Sequence, residues 1–181
     1  MNLKNLYKLF RNSKIKSFGK EDAIIAANSK EKNVFFIRKG IVRSYIINEK
    51  GEEVTFQVYA ETNIFTNVHS ILFNEPSKFT YEAIEATKVY VIDYDLFLEI
   101  TSKNPNLLEW NRTYFGKRII KRAFQRSESF VFLSPEERYK KFVKDNPNIV
   151  NRIPDMYIAN IIGITPVSLS RIRSRIVSKK D

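Results

Sequence analysis

The first half of the chain alternates short apolar runs with turns that contain glycine or polar residues. Five such runs, rich in β-branched and aromatic residues, span 34–37, 41–47, 54–59, 80–85 and 88–92. Gly40 and Gly51 stand in the turns between the first three runs, where glycine permits the positive φ that a tight hairpin needs. Val54, Phe56 and Val58 alternate with more polar neighbours, as on a half-buried strand. The spacing predicts an antiparallel barrel, roll or sandwich.

The second half of the chain changes to helical spacing. A short helix is predicted from Asp95 to Lys103, and a helix of more than 20 residues from Leu107 to about Ser129. A helix of that length with an apolar stripe needs a partner surface. We predict that it forms the seam of a two-fold dimer and also touches the β-domain, with docking inside one chain as the alternative. The predicted seam residues are Leu108, Phe115, Ile119 and Ala123.

Three further helices are predicted near the C-terminus. Ser134 and Glu137 form a capping box at the start of the first. The second runs from Asp155 to Ile162 and the third from Val167 to about Val177, with the turn 163–165 between them. Two short helices joined by a tight glycine-containing turn are typical of a helix-turn-helix.

The third of these helices has two chemically different faces. Leu169, Ile172 and Ile176 share an apolar stripe that is expected to pack inward, whereas Arg171 and Arg175 share the opposite face. In a helix-turn-helix this outer face enters the major groove, where arginine can bond guanine and also hold phosphate. A three-helix bundle with a basic surface is the alternative. The predicted DNA-binding residues are Thr165, Val167, Ser168, Ser170, Arg171, Arg173 and Arg175.

The distribution of charge supports a nucleic-acid partner. The net charge is +11, and residues 108–181 carry 16 Lys and Arg against 7 Asp and Glu, whereas residues 1–107 carry 15 against 13. A localised basic segment is typical of a nucleic-acid binder. A basic surface without a partner and a membrane-surface patch are the alternatives that charge alone leaves open.

Several other classes of protein are disfavoured. The chain has no cysteine and His69 is its single histidine, so cysteine-ligated metal centres, disulfides and multi-histidine cages are excluded. A β-barrel enzyme would need catalytic side chains, and Glu82 with Glu85 are the candidate pair, but we interpret them as solvated charges. No catalytic residue, metal ligand or cofactor is therefore predicted. No apolar run reaches the roughly 20 residues of a membrane span, and no signal-peptide pattern is seen, which predicts a cytoplasmic location without membrane partners.

The C-terminal motif resembles a known family. Residues 163–173, preceded by Tyr157-Ile158-Ala159, are similar to the helix-turn-helix of the Crp/Fnr family of bacterial transcription regulators. Residues 36–43 resemble the "fI.kG.vR" stretch of that family's cyclic-nucleotide-binding-like β-roll. The resemblance implies an α+β chain with a jelly-roll-like antiparallel β-roll, a long connecting helix and a C-terminal helix-turn-helix. The implied domains are residues 1–106, a dimerisation helix at 107–130, and residues 131–181.

The resemblance also implies partners and an effector pocket. The partners would be a second copy of the chain, a palindromic promoter site in double-stranded DNA, and RNA polymerase. Nucleotide-binding members carry Gly-Glu and Arg-Ser/Thr pairs, but Thr66 and Asn67 replace the first pair and no arginine lies between Arg43 and Arg112. We therefore expect no binding of cyclic AMP or cyclic GMP in the family mode, and any effector is an unknown small molecule. The residues of this altered pocket are Phe65, Thr66, Asn67, His69, Lys78 and Thr80.

Two functional alternatives remain beside a transcription regulator. One is a β-roll that binds a small ligand without reading DNA. The other is a nonspecific nucleic-acid binder without a regulatory role, which the charge of residues 108–181 also fits.

Overall fold

The computed structural model describes residues 9–178, without the side chains of Tyr114, Phe115 and Arg118. The N-terminal helix that the sequence predicts from Leu3 to Phe10 lies mostly outside the described residues, and residues 9–11 are helical. Within the described part of the chain, no helix is long and apolar enough to span a lipid bilayer.

The strands form two antiparallel sheets that face each other. Their bounds are β1 Lys14–Phe18, β2 Ala23–Ile25, β3 Asn33–Lys39, β4 Val42–Ile47, β5 Glu53–Tyr59, β6 Ile64–Thr66, β7 Thr80–Ala83 and β8 Thr87–Asp93. One sheet has the order β1-β8-β3-β6 and the other β2-β7-β4-β5. Ile25, Phe35, Val42, Phe65 and Val89 are buried between the sheets. The predicted antiparallel β-roll is confirmed.

The glycines of the predicted turns have the backbone geometry that glycine alone tolerates well. Gly40 has φ 104° and Gly51 has φ 78°. A Cβ at Gly40 would lie 2.3 Å from the hydroxyl of Thr87, so the close approach of two strands also requires glycine there.

The pattern of apolar runs did not predict β1, Lys14–Phe18. The side chains of β1 are mostly exposed, and the strand is held by main-chain pairing with β8, in which Lys14 lies opposite Val91. Every residue type supplies the same backbone groups, so a strand held only by main-chain pairing needs no alternation of apolar and polar side chains, and its sequence carries no strand pattern. The short strands β2 and β6 were also missed.

The alternation predicted for β5 is only partly correct. Val58 is buried as expected, but Phe56 is 38% exposed and Thr55 is fully buried. A register shift in the pairing of β4 with β5, between Ser44 and Tyr45, disturbs the simple alternation. The other cause is a helix that covers the outer face of β5, described below.

The helices follow the predicted positions with shifted ends. Their bounds are α1 Tyr94–Ser102, α2 Pro105–Asn111, α3 Arg118–Phe132, α4 Pro135–Asp145, α5 Asp155–Ile162 and α6 Pro166–Ser178. A π-helical segment, Arg112–Lys117, joins α2 to α3, so the chain is helical without a break from 105 to 132. The side chain of Asn104 caps this long helix by accepting from the amides of Asn106 and Leu107.

The C-terminal unit, residues 135–178, packs directly on the β-roll. One apolar core contains Ile41 and Val58 of the roll together with Phe142, Ile158 and Leu169 of the C-terminal unit. The contact between α5 and β5 is extensive. A docking of this kind means that the roll and the C-terminal unit stabilise each other through shared apolar burial.

Candidate nucleic-acid interface and cavity

The first helix of the C-terminal unit begins with the predicted capping box. The hydroxyl of Ser134 accepts from the amide of Glu137 at 3.3 Å, and the Glu137 carboxylate accepts from the amide of Ser134 at 2.8 Å. Both interactions satisfy amides that a helix start leaves without a partner.

The turn between α5 and α6 depends on Gly163. This residue ends α5 with φ 69°, and a Cβ there would lie 2.4 Å from the ring of Phe130 on α3. Thr165 then caps α6, since its hydroxyl accepts from the amide of Ser168 at 3.2 Å. The predicted arrangement of two helices joined by a three-residue turn is present.

The two faces of α6 lie as the sequence spacing predicts. Leu169 and Ile172 are buried, and Ile176 is half-buried. Arg171 and Arg175 are exposed on the other side. Of the remaining predicted DNA-binding residues, Thr165, Val167 and Ser170 are exposed and Ser168 is half-buried.

Arg173 differs from the other arginines of α6. Its guanidinium donates to the Asp155 carboxylate at 2.6 Å and to the Tyr139 hydroxyl at 3.0 Å. These bonds tie α6 to α5 and α4, so Arg173 holds the three helices together in this structure.

A cavity of about 230 Å³ lies between the β-roll and α3. Its walls are mostly apolar and aromatic. The Phe65 ring stacks on Tyr81 with 5.5 Å between ring centroids, and Phe56 packs against Phe79 at 5.0 Å. The helix contributes Ile119, Arg122, Ala123 and Arg126 to the lining.

The structure brings together three of the six residues predicted for the altered pocket. Those that line the cavity are Phe65, Thr66 and His69. Asn67 is buried, and its side-chain amide donates to the Ser29 carbonyl at 3.0 Å and to the Ser70 hydroxyl at 2.6 Å, so it holds the local turn. Lys78 is exposed, and Thr80 is half-buried with its hydroxyl accepting from the amide of Ala27. Neither Lys78 nor Thr80 lines the cavity.

Sequence reasoning missed the polar groups that the cavity does contain. The hydroxyls of Ser44, Tyr59 and Tyr81 come from three different strands and meet at its wall. The Ser44 hydroxyl is buried and makes no hydrogen bond of normal geometry with any described residue. Burial raises the pKa of both Tyr59 and Tyr81. Arg122 and Arg126 were detectable in principle, because their spacing of four places them beside Ala123 on the long helix.

The predicted seam of the long helix is divided between two environments. Ile119 and Ala123 line the cavity, and Leu108 is 39% exposed. The side chain of Phe115 lies outside the described residues. The strongly exposed apolar side chains of α3 are instead Ile120, Phe124, Val131 and Phe132.

Arg43 occupies a buried ionic cluster at the contact between β-roll and C-terminal unit. Its guanidinium donates to the Glu82 carboxylate at 2.9 Å and to the Glu53 carboxylate at 2.5 Å. It also lies over the rings of Tyr45 and Tyr157, the second of which belongs to α5. The interpretation of Glu82 as a solvated charge is wrong, because this residue is buried against Arg43.

A second ionic contact joins the same two parts of the molecule. Arg152, from the segment between α4 and α5, donates to Glu61 at 2.8 Å and also to Glu85. The Glu61 carboxylate accepts from the amide of Gly40 as well. The Arg152 guanidinium holds the pKa of Glu61 at about 2, below its usual range.

A further polar contact crosses this interface. The amide of Thr55 donates to the side-chain oxygen of Asn160 at 3.1 Å, which places an α5 side chain on the backbone of β5.

Among residues 9–178, no three His, Cys, Asp or Glu side chains meet in a group that would hold a metal ion.

Comparison with known proteins found a family model that matches the roll and solved structures that are similar to nearly the whole chain. Residues 15–104 match the family model described as the cyclic nucleotide-binding domain. The structure of FixK2 from Bradyrhizobium japonicum is similar with a TM-score of 0.76 at 17% identity, covering 93% of this chain and 86% of that one. A CooA variant from Carboxydothermus hydrogenoformans has a TM-score of 0.75 at 17% identity, with coverages of 99% and 85%.

A third solved structure is similar over nearly the full length of both chains. It is CLP from Xanthomonas campestris, described as a c-di-GMP responsive global regulator that links cell-cell signaling to virulence gene expression. The TM-score is 0.74 at 11% identity, with coverages of 99% and 93%. At identities this low, the TM-scores show a common fold and nothing more specific. No curated protein sequence matches the chain significantly.

Proposed function

Because residues 15–104 belong to the cyclic nucleotide-binding domain family and the whole chain has the fold of Crp/Fnr regulators, we propose that this chain is a DNA-binding transcription regulator. The proposal assigns it no catalytic role. By the same resemblance it includes RNA polymerase as a partner and the bacterial cytoplasm as the place of action.

The observation that carries the proposal is the orientation of α6. Leu169 and Ile172 anchor one side of this helix in the core, and the opposite side presents Arg171 and Arg175 to solvent. A helix held in this way can enter a major groove of about 12 Å width with its arginines toward the bases. The excess of basic residues after residue 107 supports the same partner, because phosphate neutralisation supplies much of the affinity for DNA.

The proposed regulator is a two-fold dimer whose seam lies on α3. Ile119 and Ala123 line the cavity, so the seam is assigned to the neighbouring face formed by Ile120, Phe124 and Val131. These three residues recur at spacings of four and seven and therefore share one side of the helix. A two-fold axis along α3 would cover them and present two copies of α6 to a palindromic site.

The proposal does not include regulation by cyclic AMP or cyclic GMP. The charged groups at the cavity, Arg122 and Arg126, come from the long helix, whereas Lys78 of the roll stays outside it. The side chain of Asn67 is engaged in the local turn and is directed to backbone and hydroxyl partners there. These positions therefore do not provide the phosphate-binding groups that the Gly-Glu and Arg-Ser/Thr pairs supply in nucleotide-binding members.

A salt titration of DNA binding tests the proposal. The full chain is titrated with a mixed-sequence duplex at several salt concentrations, together with Arg171→Ala and Arg175→Ala. We expect log affinity to fall linearly with log salt concentration and the slope to decrease by about 1 for each phosphate contact removed. Arg38→Ala, at an exposed position of the β-roll, is the matched control and should bind as the parent does. Parent-like binding by both test variants would refute the assigned surface.

A nonspecific nucleic-acid binder is the second candidate, favoured by the same excess of charge. It predicts the same salt dependence but no preference among duplexes, so sequence selectivity separates the two functions.

A further inference from the structure

The cavity beside α3 combines apolar walls with positive charge and no negative charge. Phe56, Phe65 and Phe79 supply aromatic surface, and Arg122 and Arg126 supply two guanidinium groups. No Asp or Glu stands among the described residues that line it. Such a lining favours a ligand that is mainly apolar and carries a negative charge.

Arg126 is held entirely by neutral groups. It donates to the carbonyl of Phe56 at 3.1 Å and to the carbonyl of Ile161 at 3.3 Å, and it lies over the rings of Phe56 and Phe130. None of the ion pairs among the described residues includes it. Burial lowers its pKa. A half-buried guanidinium without a counter-ion is a favourable site for an anion.

The contacts of Arg126 connect three parts of the molecule. The residue belongs to α3 and lines the cavity, Phe56 belongs to β5, and Ile161 lies near the end of α5. A change in the position of this one side chain would therefore reach both the cavity and the C-terminal unit.

We propose that the cavity binds a small apolar carboxylate whose head group is received by Arg126, and that binding withdraws this side chain from the Ile161 carbonyl. The volume supports the size class, since about 230 Å³ exceeds the roughly 150 Å³ of an apolar cavity that holds benzene and is below the roughly 300–1,000 Å³ of drug-sized sites. A single carboxylate matches one planar guanidinium by two parallel hydrogen bonds. The buried Ser44 hydroxyl offers a further donor inside the cavity.

The regulatory part of this inference rests on the proposed function. Arg126 bridges the Phe56 carbonyl of β5 and the Ile161 carbonyl of α5. Loss of its bond to Ile161 removes one link between the β-roll and the C-terminal unit, so the ligand favours release of that unit. A ligand shifts such an equilibrium by its difference in affinity for the two arrangements. Both carbonyl bonds are made by Nη1 of Arg126, so a carboxylate that pairs with Nη1 and Nη2 competes with the Ile161 carbonyl for Nη1, and this competition supplies the difference.

Calorimetry with a matched pair of probes tests the ligand class. Octanoate and octan-1-ol have equal chain lengths, but only octanoate has a charged head group. Titrated into the full chain without DNA, octanoate is expected to bind about tenfold or more tightly than octan-1-ol, because hydrogen bonds to charged groups are the stronger ones. Equal affinity for the two probes, or binding of neither, would overturn the proposal.

Two variants and one control locate the site. Arg126→Met should remove the preference for octanoate while binding of octan-1-ol remains, and Arg112→Met, at an exposed position of the same long helix, should retain the preference. Ala123→Phe fills the cavity from the helix side and should abolish binding of both probes with Arg126 intact. A preference that survives Arg126→Met, or binding that survives Ala123→Phe, contradicts the assignment.

Hydrogen exchange tests the release separately. The amide of Thr55 is bonded to Asn160 of α5, so its exchange reports the contact between roll and C-terminal unit. Octanoate should accelerate exchange at Thr55 in the parent and leave it unchanged in Arg126→Met. Unchanged exchange in octanoate-saturated parent would refute the release. Because neither measurement contains DNA, these outcomes are distinct from failure of the proposed DNA-binding function.

Discussion

Arg43 carries a positive charge into the contact between the β-roll and α5. Its side chain is 4% exposed and is surrounded by the carboxylates of Glu82 and Glu53 and by two tyrosine rings. Glu82 is buried with it, so each charge depends on the other for compensation. Removing one partner of a buried pair leaves the second charge without compensation, which is costly.

We predict that Arg43→Leu lowers the free energy of unfolding by about 3–5 kcal/mol, measured by urea denaturation. The double variant Arg43→Leu with Glu82→Leu should lose less, because no charge remains buried. Arg38→Leu, at an exposed position on β3, is the matched control and should change stability by no more than about 0.5 kcal/mol. A double variant as unstable as Arg43→Leu would show that the pair does not act as a unit.

Residues whose role is set by neighbouring sequence were predictable. Ser134 and Glu137 form the expected capping box, and Gly163 adopts the expected positive φ. Arg43 and Thr55 were not predictable in the same way, because their burial depends on α5, which begins at Asp155, 100 or more residues along the chain from both of them. Local chemistry determines caps and turns, whereas tertiary contact determines which charges are buried.

At the scale of elements, the helices followed from hydrophobic spacing and the longer strands from apolar runs. Leu169 and Ile172 pack inward on α6 as their spacing predicts. The edge strand β1 carried no such signal, since its side chains are exposed and its pairing is made by the backbone. The π-helical segment at 112–117 was also unpredicted, and it separates α2, which packs on the roll through Leu107, from α3.

The exposed stripe of α3 carries the prediction about assembly. Phe124 is 65% exposed, and a dimer through this stripe would bury it against its symmetry mate. Phe124→Glu would place two carboxylates at the seam, and such like-charge contacts cost several kcal/mol. We expect the dimer to dissociate at concentrations at least about 100-fold higher than for the parent, measured by sedimentation.

The control for this experiment is Leu72→Glu. Leu72 is 57% exposed in the roll segment His69–Phe73, outside the assigned stripe, and Leu72→Glu makes the same exchange of an apolar side chain for a carboxylate. It should leave the association unchanged. An equal effect of Leu72→Glu, or a parent chain that stays monomeric, would contradict the seam.

At the scale of the whole molecule, the C-terminal unit and the β-roll form a closed arrangement. Apolar packing between Val58 and Ile158 is reinforced by the ionic contact of Arg152 with Glu61 and Glu85. The sequence predicted both parts and three residues of the pocket, Phe65, Thr66 and His69, but neither the contact between the parts nor the rest of the cavity lining. The residues it missed come from separate segments that only the fold brings together.

The contact of Arg152 with Glu61 predicts a dependence of stability on pH. The pKa of Glu61 is lowered from 4.5 to about 2, so its ionised form stabilises the fold above about 4.5 and that stabilisation is lost as the pH falls toward about 2. Glu61→Gln should therefore lower the thermal midpoint at neutral pH, and its difference from the parent should shrink over that acidic interval. Glu49→Gln, at an exposed turn position, should match the parent. A difference between Glu61→Gln and the parent that persists unchanged at about pH 2 would contradict the assigned ion pair.

Selection of bound duplexes from a random pool tests the central claim, which is that α6 reads DNA in a two-fold dimer. The parent is predicted to enrich a palindromic sequence whose half-sites lie one helical turn apart, about 34–36 Å. Arg171→Ala should relax the preference at one position in each half-site, at a cost of about 1–3 kcal/mol. An unenriched pool, or the same enriched sequence with Arg171→Ala as with the parent, would contradict the account.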